Sequence, residues 1–526
     1  MNTRPDIRFL ATLFLSLFCI CQSRTGKADA AADDIFSGAF ENIPDTPVVD
    51  VGPCVPSGIG HDYQVGPDAG QLASIADVPW ENLGPGDTVR FFYRSEPYKG
   101  KFAINAYGTA GAIVRVCGVR GPNGERPTID GSEATSRPTM SYGRNSASAI
   151  NQQRGIAVIV TRGPDDATNQ PTYVQIDNLK ITRAQPDYGF YDMSGAHQSY
   201  MEFGACIWIE RGHHITIADN DISDCSQAVF SRSLDGGGDE YITRDVRLAG
   251  NYMYNNGQPG SYLTHTTYIQ SIGAIYEFNH YGALREGAIG NSIKDRSVGT
   301  VIRYNRIDAG AYAIDLVEAE DYPNTATADP AYRKSFVYGN QIVKMGPLVM
   351  HYGGDHVGNE PIYREGTLYF WNNSVVLLGS TEAGAYLFRL STTLETAQVW
   401  NNVFVYAGAI DYPAVRTSQD VAAGYTTGGI ANMGVNWIDD RWADSDPWHP
   451  VPGELNGTAN FLVGFPTPID LDTLEPYADG EAVDMAQAQL PDVSAYPVEY
   501  ELDAETFVPK SRPIDGAAMD LGAVER

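Results

Sequence analysis

From about residue 170 the chain alternates short apolar runs with polar punctuation, reading VQIDNLKI, ITIADNDI, VRLAGNYM, YEFNHY, VIRYNRI, FVYGNQI, YFWNNSV and VWNNVFV. The runs are rich in Val, Ile, Tyr and Phe and too short for amphipathic helices, so each reads as a strand. An Asn follows each run, and an apolar residue comes two positions later. Asn220, Asn251, Asn279, Asn305, Asn340, Asn373 and Asn402 are separated by 31, 28, 26, 35, 33 and 29 residues. Such a period marks a solenoid whose unit is one coil of strands, with apolar residues stacking inward and a turn Asn bonding its equivalents above and below. The variable spacing implies loops inserted at turns, and residues 253–268 and 318–334 are the candidates to wall a binding groove. A propeller would need four strands in about forty residues, which these intervals do not supply.

The expectation is therefore an all-β, single-stranded right-handed parallel β-helix with inserted loops and a less regular C-terminal segment. The segments LGPGDTVRFFY, AGAIVRVCGVRG and RPTIDGSEA resemble the opening coils of secreted right-handed β-helix proteins, and SRPIDGAAMDLGAVE resembles their common ending. On this reading residues 60–133 are N-terminal coils, 134–410 central coils and 411–526 an irregular cover for the last coil.

Composition narrows the class. Of 526 residues, 43% are hydrophobic and 19% charged, which permits a large core and excludes disorder and coiled coil. A net charge of −29 argues against general attraction to nucleic acid or anionic membranes. Arg4 and Arg8, the apolar run Phe9 to Cys21 and the small residues Ala28-Asp29-Ala30 read as a cleavable secretory signal over residues 1–30. That run is shorter than the roughly 20 residues of a membrane span, so no membrane insertion is expected and the protein reads as secreted or periplasmic. Disulfides are permitted there, and Cys206 and Cys225, about one repeat apart, are a candidate pair; buried thiols are the alternative.

Offsets from the repeating Asn map the outer face. Tyr268 is 17 after Asn251, Lys294 and Arg296 are 15 and 17 after Asn279, and Arg389 is 16 after Asn373, so these four share one expected groove. His265 sits beside them, and Asp315 and His351 form an adjacent column, with Glu318 close in sequence. In NSIKDRS an inward Ile293 places Ser292, Lys294 and Arg296 outside, with the two cations about 7 Å apart. Cations this close lower each other's proton affinity, which favours a neutral Lys294 as base beside a charged Arg296. This suits β-elimination of a uronate polymer, with Lys294 as base, Arg296 as carboxylate clamp and Tyr268 or His265 as acid. Arg389, Asp315, His351 and Glu318 are candidate substrate contacts.

The segment SIKDRSVGTVIRYNRI resembles the catalytic coil of the β-helix polysaccharide lyases that include chondroitinase B and alginate lyases, where a Lys before an RYN-like strand is the base. Lys294 matches that position. Where those enzymes carry Arg-His-Gly one coil later, this chain has AIDLVE, with Asp315 near the expected Arg. HTTYIQ followed by IKDRS also resembles uncharacterised secreted bacterial β-helix proteins. The resemblance implies an acidic polysaccharide as substrate. Alternatives are a hydrolase using an Asp/Glu pair, such as Asp315 with Glu318, and a noncatalytic carbohydrate-binding or adhesive solenoid. DGGGDE at 235–240 could offer Asp235, Asp239 and Glu240 to calcium, but a glycine turn with solvated acids is the favoured reading.

Overall fold

The computed structural model describes residues 50–142, 149–161, 170–379, 384–417, 428–447 and 451–526. The expected signal segment 1–30 lies outside them, as does the side chain of Asp239. The described residues belong to one contact unit, Ala39–Arg526.

Three long parallel sheets of 13, 11 and 10 strands run side by side along the chain. Each coil visits them in turn. His213–Ala218 lies in the first sheet, Asp221–Ser223 in the second and Val229–Ser231 in the third, and Arg244–Ala249 then returns to the first. This is a parallel β-helix. Period-two alternation sends one side of every strand inward, where equivalent residues of successive coils stack. Ile176, Ile217, Leu248, Tyr276, Ile302, Val337, Phe370 and Val399 form one such inward column, all buried.

The recurring Asn closes the turn from the first sheet to the second. Each side chain donates to the next, from Asn220 through Asn251, Asn279, Asn305, Asn340, Asn373 and Asn402 to an eighth rung at Asn436, with distances of 2.9–3.1 Å. The residue before each of the first seven rungs has left-handed backbone, including the bulky Phe278 (φ 54°) and Tyr304 (φ 57°). That conformation costs about 1–2 kcal/mol for a side chain with a Cβ. The ladder holds it in place, because each Asn satisfies buried backbone groups that the tight turn leaves unpaired.

Regular coils continue beyond the expected boundary at 411, through Asn436–Asp439 and Glu454–Asn456 to Phe461–Gly464. The remaining chain adds no further strand to the three long sheets among the described residues. It returns along the outer faces, placing Val493, Tyr496, Val498 and Leu502 against Phe278, Tyr304, Phe336 and Trp371. Leu521 and Val524 pack against Val376, Val403 and Trp437. Those outward aromatic residues need an apolar cover, which the tail supplies.

Cys206 and Cys225 form the expected disulfide, and Cys54 pairs with Cys117. No helix among the described residues is long and apolar enough to cross a membrane.

Candidate active site

The outer face of the third sheet carries one unbroken column. Trp208 pairs in register with Phe230, then Tyr268, Lys294, Asp315, His351, Arg389 and Thr417. Adjacent rungs are ~4.8 Å apart. A groove of about 940 Å³ runs over this column. Loops entering the third sheet wall one side with Tyr262, Leu263, Ile289 and Pro347; loops leaving it contribute Glu320, Asp355 and His356.

This register corrects the offset map. Tyr268 stands beside Lys294 rather than Arg296, and Asp315 and His351 belong to the same column as Lys294 instead of an adjacent one. Arg296 lies just past the end of the Ile293–Asp295 strand and reaches the groove from the following turn. Loops of unequal length between the Asn and the third sheet shift the offsets by a few residues, enough to misplace a rung. Of the expected insertions, 253–268 does line the groove through Tyr262, Leu263, His265 and Tyr268. Residues 318–334 contribute only Glu320.

Lys294 is 4% exposed, and its Nζ donates to Asp315 Oδ2 at 2.7 Å and to Asp355 Oδ2. Burial alone would lower its proton affinity, but the charges of Asp315 and Asp355 outweigh both burial and the neighbouring Arg296 and leave Lys294 above its ordinary value. The expectation of a neutral Lys294 is thus overturned: the sequence placed a second cation beside it, but two carboxylates from other coils dominate. Arg296, 5% exposed, pairs with Glu318 Oε2 at 3.2 Å, Asp355 Oδ1 at 3.1 Å and Glu320 Oε1 at 3.4 Å. Its guanidinium carbon lies 5.9 Å from the centre of the Tyr268 ring.

Tyr268 is half-buried, and its hydroxyl makes no hydrogen bond among the described residues. Burial pushes its phenol above the ordinary value, only partly offset by Arg296. His265 meets it edge to face, with ring centres 5.9 Å apart. The backbone N–H of Asn291 donates to His265 Nδ1 at 3.0 Å, which leaves the neutral ring's proton on Nε2. Burial, then the nearby Lys294, lowers its pKa to about 3. Asn291 also donates from Nδ2 to Asp315 Oδ2 at 2.7 Å and so ties the two residues together.

Asp315 and His351 are joined at 2.7 Å between Oδ1 and Nδ1, and His351 Nε2 lies 3.0 Å from Ser391 Oγ. The order Asp–His–Ser suggests a nucleophilic triad, but Ser391 is fully buried. Its hydroxyl accepts from the Gly354 N–H at 2.9 Å and donates to the Gly354 carbonyl at 2.7 Å. The chain of bonds therefore orients His351 and presents no nucleophile to the groove. Burial opposes ionisation of Asp315, yet Lys294 and His351 hold its carboxyl well below the usual range. Arg389, half-buried, donates to the Tyr312 hydroxyl at 2.6 Å and pairs with no carboxylate among the described residues.

Two expected contacts fall elsewhere. Glu318 is fully buried beneath the groove, and its carboxylate accepts from the backbone N–H groups of Asp355 and His356, both at 3.1 Å, while holding Arg296. It positions the site without facing a ligand, because the turn after the Tyr312–Leu316 strand folds it under the 353–359 loop. Asp235 caps another loop, accepting from Asn324 N at 2.6 Å and Thr325 Oγ1 at 2.6 Å. No cluster of three or more His, Cys, Asp or Glu suited to a metal occurs among the described residues, which do not include the Asp239 side chain.

Asp355, Asn291, Tyr312 and Ser391 were not singled out from the sequence. Only Asp355 carried a signal, as an acid directly after Gly353-Gly354 in a long interval between strands.

No family model and no curated protein matches the chain. Solved structures similar to it include an alginate lyase from Paenibacillus sp. str. FPU-7, at 16% identity and a TM-score of 0.36, covering 65% of this chain and 95% of that one. A pectate lyase, Pel9A, aligns at 12% identity and 0.38, covering 89% and 98%. A PL6 family alginate lyase aligns at 11% and 0.42, covering 86% and 60%. The β-helix assignment stands on the strand pairing itself, independent of these likenesses.

Proposed function

We propose that this protein is a polysaccharide lyase that cleaves a uronate-containing polymer by β-elimination in the groove of the third sheet. The observation that carries this reading is the grip on Asp355, whose carboxylate bridges Lys294 and Arg296 on the groove floor. Two nearly buried cations that hold a carboxylate at two points form a subsite shaped for the carboxylate of a uronic acid.

In this reading Lys294 and Arg296, both charged, neutralise the substrate carboxylate, which makes the adjacent C–H acidic and stabilises the enolate-like charge that forms when its proton leaves. Tyr268, one rung from Lys294 and with its ring centre 5.9 Å from the Arg296 guanidinium carbon, takes that proton as phenolate. The freed electron pair closes a carbon–carbon double bond as the glycosidic C–O bond breaks, the Nε2–H of the neutral His265 hydrogen-bonds the departing oxygen, and the proton now on Tyr268 passes to that oxygen, which restores the phenolate. The base role read from the sequence for Lys294 passes to Tyr268, because Asp315 keeps the lysine protonated.

A phenol lifted above its ordinary value must ionise before it can act, so kcat/KM should rise with pH from neutrality toward the alkaline side. Tyr268→Phe and Lys294→Ala should each abolish appearance of the unsaturated product, followed by its ultraviolet absorbance, while circular dichroism stays native. Undiminished turnover in either folded variant would remove that residue from the mechanism.

A further inference from the structure

We infer that Asp355 is a specificity-determining residue: its carboxylate is a built-in occupant of the carboxylate subsite, exchanged at Lys294 and Arg296 for a carboxylate that the ligand brings. This deepens the proposed function and rests on that reading for the identity of the subsite.

Three observations carry it. First, each cation already has a dedicated acidic partner from below. Lys294 has Asp315 and Arg296 has Glu318, with side chains 2% and 0% exposed. Asp355 is the third carboxylate, shared between both cations from above, and its side chain is 32% exposed. It is the partner that can leave without stripping either cation of its last counter-charge.

Second, the tether is on the backbone. Glu318 accepts the N–H groups of Asp355 and His356, and Glu360 Oε2 accepts that of Gly358 at 2.9 Å. The Asp355 side chain can therefore rotate toward solvent while its loop stays anchored.

Third, the exchange discriminates by charge. Moving Asp355 out leaves two nearly buried cations one carboxylate short, a costly state for groups so removed from water. An incoming carboxylate restores the balance. A neutral sugar does not, so the resident side chain stays and blocks it. Glu320, the remaining acid here, reaches only Arg296 and cannot bridge the pair in this arrangement.

The test measures binding, separately from catalysis. The full chain, as wild type, Asp355→Ala and Asp355→Asn, is titrated calorimetrically with galacturonate and with galactose in one buffer. Removing the internal competitor should tighten galacturonate binding by about tenfold or more in the Ala variant, since a charge-assisted contact no longer has to be displaced. The near-isosteric Asn variant should tighten it in the same direction by less, and galactose, shut out by the resident side chain in the wild type, should gain weak binding in the Ala variant while staying far below galacturonate. Equal or weaker galacturonate binding in the Asn variant, with an unchanged melting temperature, would overturn the inference. So would a wild type that binds galactose as well as galacturonate. If galacturonate tightens as expected but no polymer yields an unsaturated product, the exchange stands and the lyase reading fails.

Discussion

Lys294 owes its position to a three-residue strand in which Ile293 and Asp295 both turn inward, and Asp295 is neutralised in the core by Arg364 at 3.1 Å with both side chains fully buried. That alternation was legible in IKDRS, and so was the presence of a lysine at the groove. Its protonation was not, because the deciding charges, Asp315 and Asp355, lie 21 and 61 residues away and meet it only through the stacking of coils. His265 makes a prediction at this scale. Its pKa falls from 6.5 to about 3 in the folded protein, so between those values the unfolded chain binds the extra proton and the folded chain does not. Stability should therefore decline as pH drops from about 6.5 toward 3. His265→Asn, which keeps an acceptor for the Asn291 N–H, should reduce this loss. Melting temperatures of both proteins at pH 7 and pH 4.5 check it; equal acid sensitivity would exclude His265 as a contributor.

The Asn ladder and the Arg364 pin set the geometry that the groove needs. Asn305 donates to Asn340 and to the carbonyls of Tyr276 and Arg303, and accepts from both nitrogens of Asn279, backbone and side chain. Asn305→Ala leaves several of these buried groups unpaired at about 1–3 kcal/mol each, so a fall in the denaturation midpoint is expected. Arg364, fully buried, donates to the carbonyls of Asp295, Ser297 and Val317, clamping the turn that carries Arg296. Arg364→Ala should cost about 3–5 kcal/mol, since it strands Asp295 in the core. It should also weaken turnover although Arg364 does not line the groove, as denaturant titration and kinetics would establish. The ladder was readable from sequence up to Asn402 because its residue type and period repeat. Asn436 was missed because its strand, Asn436–Asp439, lies beyond the expected end of the coils.

Across the whole chain the sequence displayed the solenoid plainly and the groove only in outline. Strand registers follow from stacking, but where a rung falls depends on loop lengths that the Asn period does not encode. The tail illustrates the same limit: its proline- and aspartate-rich composition marked it as irregular, while its packing along the outer aromatic faces depends on contacts nearly two hundred residues apart, such as the Tyr304 hydroxyl with the Pro497 carbonyl. Net charge acts at this scale too. A chain carrying −29 repels a polyanion until salt screens the field, so kcat/KM on a uronate polymer should rise from low to moderate ionic strength. A steep fall over that range would mean that local cations, and not the global field, govern encounter. The most direct measurement of the central claim is the product mass after incubation with uronate polymers. Elimination predicts an unsaturated uronate at every new non-reducing end, so that all fragments except the one keeping the original non-reducing end are one water lighter than hydrolytic fragments, and no products from neutral polymers. Fragments that are all of full hydrolytic mass, or cleavage of neutral polymers, would contradict a groove built to grip a carboxylate and eliminate beside it.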